Sequence, residues 1–173
     1  MGGLMGRAMK RILVLVISLF GAGAFAQFPE FSQQYLQRLG GAVQALDEVV
    51  GDFDASAQKL GLTRFQALEQ MQGTAFVEAQ KADMERVFLR HATLSADYAA
   101  MHEAGPFMRV YHARRTGDPE LLRGTAGDFV PALPLSFAGA VFAGVGLVLG
   151  WLAARLLLVL LSGFFCRKTP QAA

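Results

Sequence analysis

The sequence is poor in the residues from which most catalytic and structural centres are built. It has one cysteine and three histidines in 173 residues. A single cysteine excludes a disulfide framework and any cysteine-based zinc or iron–sulfur centre within one chain. The histidines, His91, His102 and His112, stand at no i, i+3 or i+4 spacing, so no helix face offers a metal two imidazoles. There is no H-E-x-x-H, no Walker loop and no G-x-S-x-G, and no dinucleotide fingerprint follows a strand. Charge is scarce too, at 17% of residues against 53% hydrophobic, where soluble domains carry about 25% charged residues. That balance argues against intrinsic disorder and against an ordinary cytosolic globule. A net charge of +2 gives no warrant for nucleic-acid binding.

Acid is missing from both ends of the chain. All fourteen acidic residues fall between Glu30 and Asp128, with ten of the sixteen basic ones, so the middle carries a net charge of −4. The other six cations are Arg7, Lys10 and Arg11 near the start and Arg155, Arg167 and Lys168 near the end. Each basic end adjoins a long apolar run. Two ends held in the cytoplasm with the middle carried across is the arrangement that positive-inside retention produces.

The second run extends from Leu135 to Phe165, and Phe137 to Ala154 contains no charge. Eighteen such residues suffice for a spanning helix. Pro131 and Pro134 mark its outer start, where a missing N–H is harmless, and Trp151 suits an interfacial anchor. The first run, Ile12 to Ala26 or on to Phe28, follows the basic trio directly. Two readings compete. Ala24-Phe25-Ala26 before Gln27 fits the small-residue rule for signal-peptide cleavage after Ala26. As a retained signal-anchor, Gly21, Ala22, Gly23 and Ala24 would instead supply a helix-packing face.

Between the runs the chain reads as helical. Its only isoleucines, Ile12 and Ile17, lie in the first run, and no strand-like alternation bounded by hairpin turns occurs. Phe31, Tyr35, Leu39, Val43, Leu46, Val50 and Phe53 form one stripe at helical spacing. Lys59-Leu60-Gly61-Leu62 has the form of a helix stop, and Gly40-Gly41 lets another helix approach or bends this one. Thr63-Arg64-Phe65-Gln66 fits a capping box. After Gly73 and a capping Thr74, the residues Val77, Met84, Val87, His91, Leu94, Tyr98 and Met101 keep a heptad-like rhythm with Lys81 as a polar exception, up to Gly105-Pro106. Two long helices joined by a short break predict an antiparallel, coiled-coil-like hairpin. Asp118-Pro119-Glu120 opens a last short helix leading through Phe129 to the second run.

Chemistry is hard to find in this middle segment. His91 falls on an apolar stripe, where a hydrogen-bonded core histidine is the common case. Asp47-Glu48 and Asp52 with Asp54 read as the wet side of a helix, and Cys166 as an incidental thiol. The sequence therefore predicts no enzyme, with no catalytic, cofactor-binding or metal-binding residue and no small-molecule substrate.

Two features of the second run carry more weight. Gly139, Ala143, Gly146, Gly150 and Ala153 step by 4, 3, 4, 3, which forms a packing face for the first span, a second copy or another subunit. The bland alternative is a generic glycine-rich span. Arg155 is an inner-edge charge if the span stops at Ala154. It is an intramembrane charge in need of a partner if the helix runs on through Leu161. Arg109, His112, Arg114 and Arg115 with Phe107, Met108, Val110 and Tyr111 form either a lipid-surface segment or a solvated loop.

Gln27-Phe28-Pro29-Glu30-Phe31-Ser32-Gln33-Gln34-Tyr35, continuing through Gln37 to Ala42, resembles the start of an uncharacterised proteobacterial family catalogued as a domain of unknown function. Phe76-Val77, Ala82-Asp83-Met84 and the Gly- and Leu-rich second run resemble it as well. The resemblance covers most of the chain. It implies a small, anchored inner-membrane protein with a helical periplasmic part, and supplies no activity or site residue.

Together these readings predict an all-α inner-membrane protein with one or two transmembrane helices and a periplasmic helical hairpin. Residues 1–11 form a basic cytoplasmic N-terminus and 12–28 the first span. Residues 29–133 form the periplasmic hairpin, 134–162 the second span and 163–173 a basic cytoplasmic tail. The expected role is a non-catalytic scaffold or accessory subunit. It would touch lipid and hold partner proteins or a second copy through the hairpin and the small-residue face. The alternative is a small transport or channel component acting as an oligomer, with Arg155 on a polar path.

Overall fold

A computed structural model of the chain describes residues 2–112, 117–133 and 135–166. Pro134, Arg114, Arg115, Arg167 and Lys168, which carried parts of the expectations above, lie outside the described residues. Among the described residues the secondary structure is helical throughout: α1 (Gly2–Ala26), α2 (Phe28–Lys59), α3 (Arg64–Gln70), α4 (Ala75–Glu103), α5 (Met108–His112), α6 (Pro119–Gly127) and α7 (Phe137–Cys166). The chain divides into two compact units. One holds the residues up to Phe31 and those from Val130; the other holds Ser32–Phe129.

The Ser32–Phe129 unit is organised by the stripes on α2 and α4. Phe53 meets Phe88 edge-on at 5.2 Å between ring centroids, Asp47 lies 2.5 Å from His91, and Gly40 lies beneath the Tyr98 ring. Positions fall along α2 as they rise along α4, so the two helices run antiparallel. Tyr35, Leu36 and Leu39 of α2 and Leu94 and Met101 of α4 are buried together. Gly40 is small for a steric reason: a Cβ there would stand 2.9 Å from a Tyr98 ring carbon. Leu36 sits outside the seven-residue stripe read from sequence, yet it is buried, because α2 packs on two sides.

The second side belongs to α6. Asp118 caps this helix, its Oδ1 accepting the backbone N–H of Glu120 at 3.0 Å and of Leu121 at 3.1 Å, with Pro119 in the first turn. Leu121 then joins the core cluster. Arg90 of α4 reaches Asp118 at 3.2 Å and Glu120 at 2.8 Å, and Arg38 of α2 pairs with Asp128. The sequence presented α6 only as a link to the second apolar run. In the structure it is the third wall of the core.

The turns follow local chemistry. Gly61 has φ +71°, the left-handed conformation that costs glycine least. Its N–H bonds to the Gln58 carbonyl at 2.9 Å and that of Leu62 to the Ala57 carbonyl at 3.0 Å, which is the Schellman stop. Thr63 and Gln66 form the reciprocal capping box and Thr74 caps α4. Past the end of α4, Arg109 donates to the Met101 and Ala104 carbonyls at 3.3 and 3.2 Å and to Gln33 at 2.7 Å, satisfying carbonyls that the helix leaves open.

The other unit is built on α1 and α7, both long and apolar enough to cross a membrane. Only 11% and 17% of their most apolar stretches are buried. Large side chains such as Phe20, Ile12 and Val159 face outward, and small ones face inward. The inward row on α7 is Ala138, Phe142, Gly146, Gly150, Ala154 and Leu158, each buried or partly buried. It climbs by fours, and Val14, Ser18, Ala22 and Ala26 of α1 do the same. Rows at i±4 interdigitate in close small-residue crossings.

Candidate functional site: a glycine-locked helix pair and its basic cleft

Three glycines set the register of α1 against α7. A Cβ on Gly21 would meet the Gly146 carbonyl oxygen and stand 3.2 Å from the Gly150 Cα. One on Gly146 would run into the Gly21 carbonyl oxygen, and one on Gly150 would stand 2.8 Å from the Ile17 carbonyl oxygen and 2.9 Å from the Ser18 Cα. The obstructing atoms are backbone, which cannot swing aside. Gly23 and Gly144 have open space beyond them. Ser18 is 4% exposed, and its hydroxyl is satisfied by donating to the Val14 carbonyl at 2.7 Å.

At one end of the pair, the Gln27 side chain bonds the Ala132 backbone twice. Its Nε2 donates to the carbonyl and its Oε1 accepts the N–H, both at 3.1 Å. Phe28 packs on Phe142 with 5.2 Å between centroids. Ser136 caps α7 by accepting the Gly139 N–H at 3.0 Å.

Near the other end, Arg7, Lys10 and Arg11 of α1 and Arg155 of α7 line one cleft of about 540 Å³. The Arg155 guanidinium lies 5.1 Å above the Trp151 ring. Val14, Leu158 and Val159 complete the lining.

These positions sort the residues singled out from sequence. Gly139, Gly146 and Gly150 are buried and Ala143 partly so. Ala153 is exposed, and Ala154, 1% exposed, takes its place. The reason is geometric. Alternating steps of 4 and 3 follow a stripe along a left-handed supercoil, whereas successive steps of 4 incline across the helix and arrive one residue later. The small face is occupied by α1, so it is an internal contact in this chain. Of the small run on α1, Gly21 and Ala22 face inward while Gly23 and Ala24 face outward. Arg155 does not end its helix, since α7 continues to Cys166. The topological pair Arg167 and Lys168 lies outside the described residues. Convergence of the cations was readable only in part. Arg7, Lys10, Arg11 and Val14 stand at i, i+3, i+4 and i+7, one helix face, but nothing local sets their level against Arg155.

Several polar groups of the Ser32–Phe129 unit are held in pairs. Burial pushes Tyr35 up to about 12, with the nearby Asp118 and Asp97 charges adding to the effect. A hydrogen bond from Arg64 holds Asp54 below the usual carboxylate range, with contacts of 2.8 and 2.6 Å. The same guanidinium lies 4.6 Å over the Phe88 ring. His91 is engaged with Asp47, and His102 lies against Tyr98 at 5.3 Å. Among the described residues no three metal-ligating side chains gather. Phe107, Met108, Val110 and Tyr111, the apolar part of the suggested lipid-surface segment, are all exposed.

An all-helical chain with two helices long and apolar enough to cross a membrane is the class these features define. Residues 9–167 match a family described as protein of unknown function (DUF2937), and the chain belongs to that family. No curated protein and no solved structure matches it.

Proposed function

We propose that this is an inner-membrane protein in which α1 is retained as an anchor and pairs with α7, both termini being cytoplasmic. The Ser32–Phe129 unit then stands in the periplasm as a non-catalytic scaffold or accessory module that holds a partner protein. The observation that carries the reading is the two-sided glycine contact. Gly21 is as tightly fitted to α7 as Gly146 and Gly150 are to α1, a fit with no purpose in a peptide that is removed. Outward Leu, Val and Phe side chains on both helices suit lipid as their solvent.

With its small face filled by α1, α7 meets other proteins through its lipid-facing side, and the exposed helical unit carries partner binding. The intact mass of membrane-extracted protein tests the anchor: retention of residues 1–26 is expected, and a product beginning at Gln27 overturns it. Crosslinking in mild detergent tests the scaffold: a reproducible partner is expected, and recovery of free monomer alone overturns that role. The transport alternative has Arg155 as its only support. Unchanged flux of ions or solutes on Arg155→Gln in reconstituted vesicles sets it aside.

A further inference from the structure

The geometry points to a binding site for the phosphate head group of an anionic phospholipid in the cleft lined by Arg7, Lys10, Arg11 and Arg155. The inference rests on the membrane reading above and names a ligand for that end of the helix pair.

The first argument is charge. No Asp or Glu occurs in residues 1–29 or 129–173, and the cleft is lined by four cations and no acid. The nearest acid along the chain is Glu30. It lies nineteen residues beyond Arg11, about 28 Å at the rise of a helix. Among the described residues that line the cleft there is thus no carboxylate.

The second argument is register. The glycine contact fixes how far α1 slides along α7. With that register set, the basic face of α1 is brought to the level of Arg155 whether or not like charges repel. An anion seated between the helices converts that repulsion into attraction. Guanidinium groups suit phosphate oxygens because their N–H donors form a planar fork, and the Arg155 guanidinium has its own anchor over the Trp151 ring.

The third argument separates a lipid from free phosphate. Besides the cations, the cleft is lined by Val14, Trp151, Leu158 and Val159. An inorganic ion gains nothing from apolar walls, whereas a head group enters with glycerol and the first methylenes of its chains. Basic pockets between spanning helices on the cytoplasmic side are suited to anionic lipids.

The test uses full-length protein extracted in mild detergent and analysed by native mass spectrometry with added phosphatidylglycerol, cardiolipin or phosphatidylcholine. Anionic lipid adducts should exceed phosphatidylcholine adducts at equal concentration. They should fall about fivefold for each cation removed in Arg155→Gln and in Lys10→Gln with Arg11→Gln. Arg7, Arg167 and Lys168 are kept in these variants so that each end retains a positive charge. Arg86→Gln, a change in the other unit, should leave the adducts unchanged. Trp151 fluorescence and helical circular dichroism report whether the variants keep the helix pair. Arg155→Lys, which keeps the charge and loses the fork, should retain part of the binding and so guards against misfolding as the cause.

Equal adducts for all three lipids, or undiminished anionic adducts in folded variants, overturn the site. Displacement of the lipid by millimolar inorganic phosphate overturns the lipid as its occupant. Recovery of the wild-type protein in the high-speed supernatant without detergent overturns the membrane reading itself, which is a separate outcome.

Discussion

Gly146 of α7 faces the carbonyl oxygen of Gly21 of α1 so closely that a methyl group on either residue would collide with the backbone of the other. Close contact of this kind is gained only at glycine and lost with any larger residue. Gly146→Val and Gly150→Val should therefore destabilise the helix pair by about 1–3 kcal/mol each, the usual cost of overpacking. Gly144→Ala and Gly23→Ala, which enter open space, should be neutral or slightly stabilising. Trp151 is the sole tryptophan, so its fluorescence during thermal unfolding in detergent reads the pair directly. Equal melting of all four variants would contradict the lock.

The core of the Ser32–Phe129 unit makes a second prediction. Leu39 is fully buried and Met101 is 1% exposed. Truncation of either to Ala should cost about 2–5 kcal/mol, seen as a lower urea midpoint by circular dichroism. Leu89→Ala, at a position 70% exposed, should shift the midpoint little.

Alkaline pH should expose Tyr35. Its folded-state pKa is raised to about 12 by burial, above the value near 10 of an unfolded tyrosine. The stabilising effect is complete below pH 10 and is lost as pH rises through 12. Tyr35→Phe should flatten the fall in stability over that window, and the difference in absorbance near 295 nm between the two proteins should place its ionisation there. A Tyr35 that ionises near 10 in the folded protein would contradict the burial.

Acid pH should act with opposite sign on Asp54, which Arg64 holds below its ordinary range. That contribution is present above the unfolded carboxylate value and is lost as pH falls through the lower folded one. Both partners are about a third exposed or more, so screening keeps the effect small. Asp54→Asn should make the stability curve shallower below about pH 4, measured in low salt.

The third wall of the core is also testable. Asp118→Ala removes the cap of α6 and one partner of Arg90. A lost cap alone costs about 1 kcal/mol. Hydrogen exchange at Glu120 and Leu121 should accelerate several-fold while the amides of α4 stay protected. Equal acceleration across both helices would mean that α6 does not open by itself.

Local chemistry made much of this legible before the structure. The stripes of α2 and α4, the Schellman stop at Gly61, the Thr63 capping box and the Asp118 cap depend on residues within one or two turns, and the sequence displays all of them. What depends on a distant neighbour was out of reach. Leu36 and Leu121 are buried because α6 returns to α2 and α4, and no periodicity within α6 announces that return. Ala154 replaces Ala153 because the inclination of the contact row depends on the partner helix. The level of Arg155 against Arg7, Lys10 and Arg11 is fixed by Gly21 on α1 and by Gly146 and Gly150 on α7, each more than a turn away.

The unbroken course of α7 to Cys166 leaves about three turns beyond Arg155, some 16 Å of rod. From Phe137 to Ala154 the same helix already spans about 27 Å, close to the thickness of a bilayer's oily interior. On the membrane reading proposed above, a leucine-dense surplus past the basic collar would have to lean into the lipid or sink among the head groups, and the tilt of this helix would then be tied to the thickness of the membrane around it.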